Sequence, residues 1–368
     1  MTDQNAVTDK AHPGTEAQPV GFGLVGTGAI ARILLPMLKD SPCRFVAVTD
    51  LDQDAAQAFA DDMGGLRVEP SLEALASADD VEAVFIATPP SSHRALIEQC
   101  VALGKHVLCE KPLTLDPADA DALRDLEAQH PELKLGCCSA RFRCTPAAEL
   151  ATAFHRDGSA GPLRHVRVRA STNLPGPADS RPTWRNKPGM GGQVSEWCVY
   201  ELEWLRGVLG GAFDPVSVHA VADEFGRSGT GLESGYQVTV TCESGAVVQL
   251  TRIAEIGPRQ HAVELRWADA GLDVPFAPDA ADLGVYEHRI DGDPPITTTE
   301  LESAPPDWGT ILTGPLHNLA RAIRIDEPVL APIGTQGVVQ RVIRAIYASA
   351  ESGQAVEVPA SNAAPANI

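Results

Sequence analysis

Val20-Gly21-Phe22-Gly23-Leu24-Val25-Gly26-Thr27-Gly28-Ala29-Ile30-Ala31 decides the fold. The first half is an apolar run of strand length, and the second is a glycine turn opening an amphipathic stretch. Gly26-x-Gly28-x-x-Ala31 has the spacing that aims backbone N–H groups at a pyrophosphate from the positive end of a helix. Gly26 permits the tight turn, Gly28 lets the phosphate approach the backbone, and Ala31 keeps the helix close to the sheet. Gly26, Gly28, Ala29 and Ile30 are therefore the candidate pyrophosphate contacts. Asp50 closes the next apolar run, about 20 residues further on, where a carboxylate accepts hydrogen bonds from a ribose. Asp50, Asp52 and Asp54 crowd this turn with no Arg or Lys beside them. A 2′-phosphate carries about two negative charges and would be repelled there, so the expected cofactor is NAD, not NADP.

Outward from this stretch, apolar runs at 45–48, 84–87, 106–109 and 133–138 alternate with helical patterns at 29–39, 53–63, 71–77, 91–103 and 116–129. That alternation predicts a parallel sheet covered by helices on both faces. Pro36 is the poor fit, because proline should kink the first helix. Beyond Arg141 the texture changes. Runs at 163–170, 216–221, 236–241, 246–252 and 262–267 read as strands, with Glu243-Ser244-Gly245 as a hairpin turn. Helices are expected at 311–325 and 335–350, and loops at 256–260 and 291–310. The expected fold class is α/β: an N-terminal Rossmann doubly wound parallel sheet plus a C-terminal α+β domain with a mainly antiparallel open sheet. The expected division is a disordered leader at 1–17, a nucleotide domain at 18–140, a substrate and oligomerisation domain at 141–358, and a flexible tail at 359–368.

Composition narrows the partners. Against 29 Lys+Arg stand 49 Asp+Glu, a formal charge of −20, which opposes binding to nucleic acid or anionic lipid. The eight cysteines form no CxxC pair and no zinc-ligand spacing, so no metal is expected. They read as reduced, buried thiols. With no signal-peptide pattern and no apolar run of membrane length, a cytoplasmic protein is expected.

Thr88-Pro89-Pro90-Ser91-Ser92-His93 follows one strand, and Gly104-Lys105-His106-Val107-Leu108-Cys109-Glu110-Lys111-Pro112 spans the next. With the glycine fingerprint, these motifs resemble the glucose–fructose oxidoreductase / inositol dehydrogenase / rhizopine catabolism (Gfo/Idh/MocA) oxidoreductases over residues 20–140. The resemblance implies that Lys111 is the catalytic or substrate-orienting base. It also implies that Glu110, Thr88, Pro89 and His93 lie along the nicotinamide half of the cofactor. Lys111 sits at the carboxyl edge of the sheet, where an ammonium can stabilise a developing alkoxide and join a proton relay. His93 alone reads more simply as a helix-start or packing residue.

The second half departs from the family pattern Asp-x-Gly-x-His-x-x-Asp. Here Gly189-Met190-Gly191-Gly192 leads into Glu196-Trp197-Cys198-Val199-Tyr200-Glu201-Leu202-Glu203. Glu196, Tyr200 and Glu203 should share one helical face. A phenol titrates near ~10 and an imidazole near ~6.5, so Tyr200 in the imidazole position needs a neighbouring cation. Lys111 is the expected one, with Lys111 and Tyr200 sharing the relay and Glu196 orienting a substrate hydroxyl. Arg141 is expected to face substrate, and Trp184 and Arg185 to line the cofactor or substrate cleft. The expected activity is hydride transfer between NAD and a secondary alcohol of a sugar, glycoside or cyclic polyol, in a homo-oligomer (dimer or tetramer). Alternatives are a ketoreductase of keto-sugars or nucleotide sugars using Arg141, Arg143, Arg181, Arg185 and Lys187, an NAD-dependent glycosidase, and a non-catalytic NAD sensor.

Overall fold

The computed structural model describes residues 18–39, 41–172, 191–223, 232–254, 260–278, 284–290 and 296–360. The leader at 1–17, the tail beyond 360 and the pair Trp184–Arg185 fall outside them. Strand β1 (Val20–Val25) is buried at every position. It lies in the middle of a six-stranded parallel sheet of order β3-β2-β1-β4-β5-β6. The other strands are β2 (Cys43–Thr49), β3 (Arg67–Val68), β4 (Ala83–Ile86), β5 (His106–Cys109) and β6 (Leu135–Cys137). This is the doubly wound order, with the strand direction of travel reversing between β1 and β4; ligands bind outside the carboxyl ends at that switch point. β3 escaped the sequence reading because two residues carry no periodicity. Helix α1 (Ala29–Leu34) ends early and tightens into a 3₁₀ turn at Leu35–Leu38. Pro36 lacks the N–H that an α-helical bond would need there.

The second sheet has nine strands, in the order β14-β13-β12-β11-β7-β10-β9-β8-β15. Its centre is β7 (Leu163–Thr172), parallel to β10 (Val247–Ala254) and antiparallel to β11 (Gln260–Trp267). β8 (Pro215–Asp223) and β9 (Gly235–Cys242) continue it on one side. β12 (Ala270–Pro275), β13 (Val285–Ile290) and β14 (Ile296–Leu301) extend it on the other, and β15 (Val356–Glu357) closes the far edge. β14 corrects the expectation of a loop through 291–310: its Thr-rich run is an exposed edge strand, with neither face giving an apolar alternation to read. Along β7, Val166 and Val168 are fully buried while Arg167 and Arg169 face outward, so one face is core and the other open.

Helices α6 (Pro146–Asp157), α7 (Val199–Leu209) and α9 (Gln336–Ser352) cover the core face. α6 was not anticipated, although its signals are in the sequence. Thr145 caps it by accepting from Ala148 N, Pro146 starts it, and Gly158 ends it at φ 71°. Helix α8 (Trp308–Ile325) returns to the first sheet, where Leu316, Leu319 and Ala320 pack with Phe22 and Leu24. Chain order and packing therefore do not divide the molecule at the same place.

Helix α5 (Pro117–Gln129) meets the turn before α9 through Glu127, whose Oε2 accepts from Gly334 N at 3.0 Å. Burial pushes the Glu127 carboxyl from 4.5 up to about 7. The folded value lies above the unfolded one, so the protonated acid contributes stability that is full below about 4.5 and lost as pH rises through about 7. Glu127→Gln keeps an acceptor oxygen and removes the titration. Its gain in unfolding free energy over the wild type, from urea titrations, should grow from pH 5 to pH 8 by up to a few kcal/mol, at about 1.4 kcal/mol per pKa unit. A gain that is the same at both pH values would refute this assignment.

Candidate active site

The glycine turn is built as the fingerprint requires. Gly26 has φ +96°, and a Cβ there would lie 2.8 Å from the Ala87 carbonyl oxygen at the end of β4. At Gly28 the nearest atom to a Cβ would be that same oxygen at 4.0 Å, so the space before the turn is open and a side chain would fill it. Gly28 and Ala29 are exposed at its mouth and Ile30 half-buried. These residues fit a dinucleotide pyrophosphate. Asp50 does more than was expected of it. Its Oδ2 accepts from Thr27 N at 2.8 Å and Thr27 Oγ1 at 2.9 Å, and its Oδ1 from Asp52 N at 3.1 Å. The carboxylate thus braces the turn and keeps lone-pair capacity on Oδ1 for a ribose hydroxyl. Asp52 in turn caps helix α2 (Gln53–Asp62) through Ala55 N.

Thr88 and Pro89 follow β4 on the rim of the crevice, Thr88 half-buried and Pro89 exposed. His93 does not join them, which corrects its placement along the nicotinamide. It opens helix α4 (His93–Ala102) and is 0% exposed. Its Nε2 lies 2.9 Å from the Thr88 carbonyl oxygen, and its Nδ1 3.1 Å from those of Pro112 and Leu113.

Lys111 stands two residues past β5. Its Nζ donates to the Glu196 carbonyl oxygen at 2.8 Å and lies over the Tyr200 ring, 4.8 Å from the centroid. Beneath it is a buried network. Arg141 Nη1 donates to Glu110 Oε2 at 3.2 Å and to Tyr200 Oη at 2.9 Å, while its Nη2 donates to Glu110 Oε1. Burial alone would raise the Glu110 carboxyl, but the Arg141 guanidinium and then Lys111 outweigh it and hold the acid below its usual range. Three expectations are corrected here. Arg141 is 3% exposed, with its guanidinium held by Glu110 and Tyr200, so it does not face substrate; the Glu110 carboxylate likewise faces Arg141, not the cofactor crevice. Lys111 meets the ring face of Tyr200 and not its hydroxyl. Burial pushes that phenol above its ordinary value, with Arg141 only partly opposing.

Glu196 lies in a π-helical turn, Val194–Cys198, that runs into α7. Such widened turns recur at functional sites. The turn is set by Gly192, at φ +97°, where a Cβ would fall 2.2 Å from Glu233 Oε1. Glu233 holds the turn from β9's side: its carbonyl accepts from Gln193 N at 3.1 Å and its Oε1 from Val194 N at 3.0 Å. Gly192→Ala combines a left-handed backbone with a collision. It should cost about 1–3 kcal/mol or more and shift Glu196, lowering both urea midpoint and turnover. A variant with wild-type midpoint and turnover would show that the turn does not depend on this glycine. The Glu196 side chain is half-buried, and its Oε1 has no hydrogen-bond partner among the described residues. Glu203 does not share that face. It is fully buried, accepting from Arg143 at 3.0 Å, Arg206 at 2.7 Å and Gln336 at 2.9 Å. Arg141 and Arg143, counted above as cations for a diphosphate, are both spent internally; Arg181, Arg185 and Lys187 lie outside the described residues.

The sequence reading missed a second buried cluster behind the site. Tyr236, Arg252, Ala170 and His261 sit in register across β9, β10, β7 and β11. The fully buried Glu201 accepts from Tyr236 Oη at 2.6 Å, and lies 3.4 Å from Arg252 and 3.2 Å from His261. Arg252 stacks its guanidinium on Trp197, 4.3 Å from the ring centroid. A signal was available: Arg252 falls in the same inward phase as Val248 and Leu250, both fully buried, and a charge in that phase needs a partner. Among the described residues, no group of three or more His, Cys, Asp or Glu is placed to hold a metal ion.

Residues 20–135 match the model of an oxidoreductase family with an NAD-binding Rossmann fold, and residues 149–265 match the Gfo/Idh/MocA C-terminal domain. The chain belongs to the Gfo/Idh/MocA oxidoreductase family. Its first domain is therefore an NAD-binding Rossmann domain, and the chain is an NAD-dependent oxidoreductase. Among Gfo/Idh/MocA relatives, 1,5-anhydro-D-fructose reductase of Ensifer adhaerens is 28% identical over 66% of this chain and 73% of its own. D-xylose 1-dehydrogenase (NADP(+)) 2 of Haloferax volcanii is 27% identical over 92% of this chain and 99% of its own. A crystal structure of an oxidoreductase domain protein from Kribbella flavida shares the fold with a TM-score of 0.80, at 22% identity over 94% of this chain and all of that one.

Proposed function

We propose that this protein transfers hydride between NAD and a secondary alcohol of a sugar, glycoside or cyclic polyol, with Lys111 handling the hydroxyl proton. One observation carries the reading. The Lys111 ammonium stands at the carboxyl edge of the parallel sheet, directed by the Glu196 carbonyl at 2.8 Å and backed by the Tyr200 ring. When bound, the nicotinamide supplies the hydride acceptor or donor; Gly26, Gly28, Ala29 and Ile30 would hold its pyrophosphate, Asp50 its ribose, and Thr88 and Pro89 would line its nicotinamide side. In alcohol oxidation Lys111 acts as the neutral amine, accepting the hydroxyl proton as hydride leaves the carbon; in the reverse direction its ammonium donates a hydrogen bond to the carbonyl oxygen, stabilises the negative charge that develops there, and gives that oxygen the proton. Glu196 Oε1, without a partner among the described residues, accepts from a neighbouring hydroxyl and so favours polyhydroxylated substrates. Tyr200 contributes its ring face as a platform, and its hydroxyl, held by Arg141, keeps that platform in place.

NAD should be preferred over NADP by about tenfold or more in kcat/KM, because Asp50 and Asp52 put two carboxylates in the turn after β2, next to the glycine turn, where they would repel a 2′-phosphate. The same experiment tests both readings: a panel of sugars and cyclic polyols, including myo-inositol, D-xylose and 1,5-anhydro-D-glucitol, with each cofactor, followed as reduced nicotinamide absorbance. No turnover with any member would refute the substrate class, and an NADP preference would refute the cofactor assignment. The open face of the nine-stranded sheet, with Arg167, Arg169 and Glu264 outward, supports a homo-oligomer joined there. The free thiols, seven of them buried, support a reducing compartment such as the cytoplasm.

A further inference from the structure

His93 is a fully buried titratable group that no step above uses, and its surroundings are two functional loops. On one side is the Thr88 carbonyl, one residue after Ala87, whose own carbonyl packs against the Gly26 turn. On the other side are the carbonyls of Pro112 and Leu113, the two residues that follow Lys111. The strand ladder between β4 and β5 ends with Glu110 N donating to the Ile86 carbonyl at 2.9 Å; beyond it, the imidazole bridges from the loop that lines the nicotinamide side to the loop that carries the proton-handling ammonium. A neutral ring donates to one side and is held against the other by packing, whereas an imidazolium donates to both. Burial lowers its proton affinity, and the nearby Glu110 charge partly restores it.

We propose that His93 is a positioning residue that sets Lys111 against the nicotinamide, acting through the backbone of Thr88 and of Pro112–Leu113. The distance between a bound alcohol and the nicotinamide carbon is the separation of these two loops, and an error of ~1 Å there can cost about 10²-fold in rate. The inference rests on the nicotinamide chemistry proposed above but not on which alcohol is oxidised. Nothing about it requires His93 to touch cofactor.

The test uses the full chain and NADH, whose nicotinamide emission rises when the ring is held rigid and shielded from water. His93→Leu keeps the volume and removes both polar contacts; His93→Gln restores one donor at similar length. The glycine turn and Asp50, which would hold the pyrophosphate and the ribose, make no hydrogen bond with His93, so NADH should bind His93→Leu with a Kd within about threefold of wild type. The rise in nicotinamide emission on binding should fall by about half or more, and His93→Gln should recover part of it. Thermal unfolding is followed for each variant, because a merely structural histidine would lower the midpoint yet leave the emission of bound NADH unchanged. That outcome overturns the proposal, as does a His93→Gln variant no better than His93→Leu. If His93→Leu does not fold, the comparison of His93→Gln with wild type decides. Failure of every sugar and polyol would sink the substrate class and leave this readout intact, since NADH binding needs no alcohol.

Discussion

Lys111→Ala should lower kcat/KM for NAD-linked alcohol oxidation by about 10²- to 10⁴-fold, the span of general acid–base contributions. The loss should fall on kcat, because the ammonium acts on charge that develops during the reaction. NAD affinity should stay within about threefold, since the glycine turn and Asp50 that hold the cofactor are separate from the β5 loop. Lys111→Arg preserves charge but not the ability to release a proton near neutrality, so it should recover little activity. The checks are initial rates of NADH formation beside NAD titration by fluorescence. Retention of more than a tenth of wild-type kcat in Lys111→Ala would pass the proton role to another group. Tyr200 is poorly placed to take it over, with its hydroxyl buried against Arg141 and its acidity reduced.

The largest stability effect should come from Arg141→Leu. Removing one partner of a buried ion pair leaves the other uncompensated and costs about 3–5 kcal/mol. Glu110, 6% exposed, would then keep only Lys111 to offset its burial, and the Tyr200 hydroxyl would lose its donor. The pH dependence has a definite sign. In the wild type the Glu110 carboxyl is held below its usual range, so its contribution is present above the ordinary value of 4.5 and is lost as pH falls through the lowered one. Without Arg141 burial dominates and raises that pKa, so the penalty in the variant appears as pH rises above about 4.5. Urea midpoints should therefore show a larger deficit for Arg141→Leu at pH 8 than at pH 5. The double variant Arg141→Leu, Glu110→Leu should recover much of the loss, because an apolar pair carries no desolvation cost. A deficit that is the same at both pH values and is not relieved in the double variant would mean the pair contributes packing alone.

The expectation for Tyr200 and its revision show where one-dimensional reading stops. The family resemblance implied Tyr200 at the position of an imidazole, and the expectation that Lys111 is its neighbouring cation matches the geometry. Which part of the ring the ammonium meets depends on the rotation of α7 against β5, and the π-helical turn at Val194–Cys198 changes that rotation. The same turn takes Glu203 off the face of Glu196 and buries it among Arg143, Arg206 and Gln336. A 3.6-residue period cannot anticipate an inserted residue.

What the sequence determined by itself was local and repetitive. The run Val20–Val25 and its glycine turn, the alternation of strands with amphipathic helices, the acid at Asp50 and the lysine after β5 all follow from backbone conformation and side-chain periodicity over a few residues. These suffice for the doubly wound sheet and the glycine turn, whereas the role proposed for Lys111 came from the family resemblance. The tertiary structure alone decided which charges meet each other instead of substrate: Arg141 with Glu110, Arg252 with Glu201, and His93 between two loops. The −20 net charge gave no hint of these pairs, because it counts ions without their distances. The physical reason is that a buried charge or imidazole must find a partner through space, and the residues that answer it lie 31, 51 and 5 positions away along the chain.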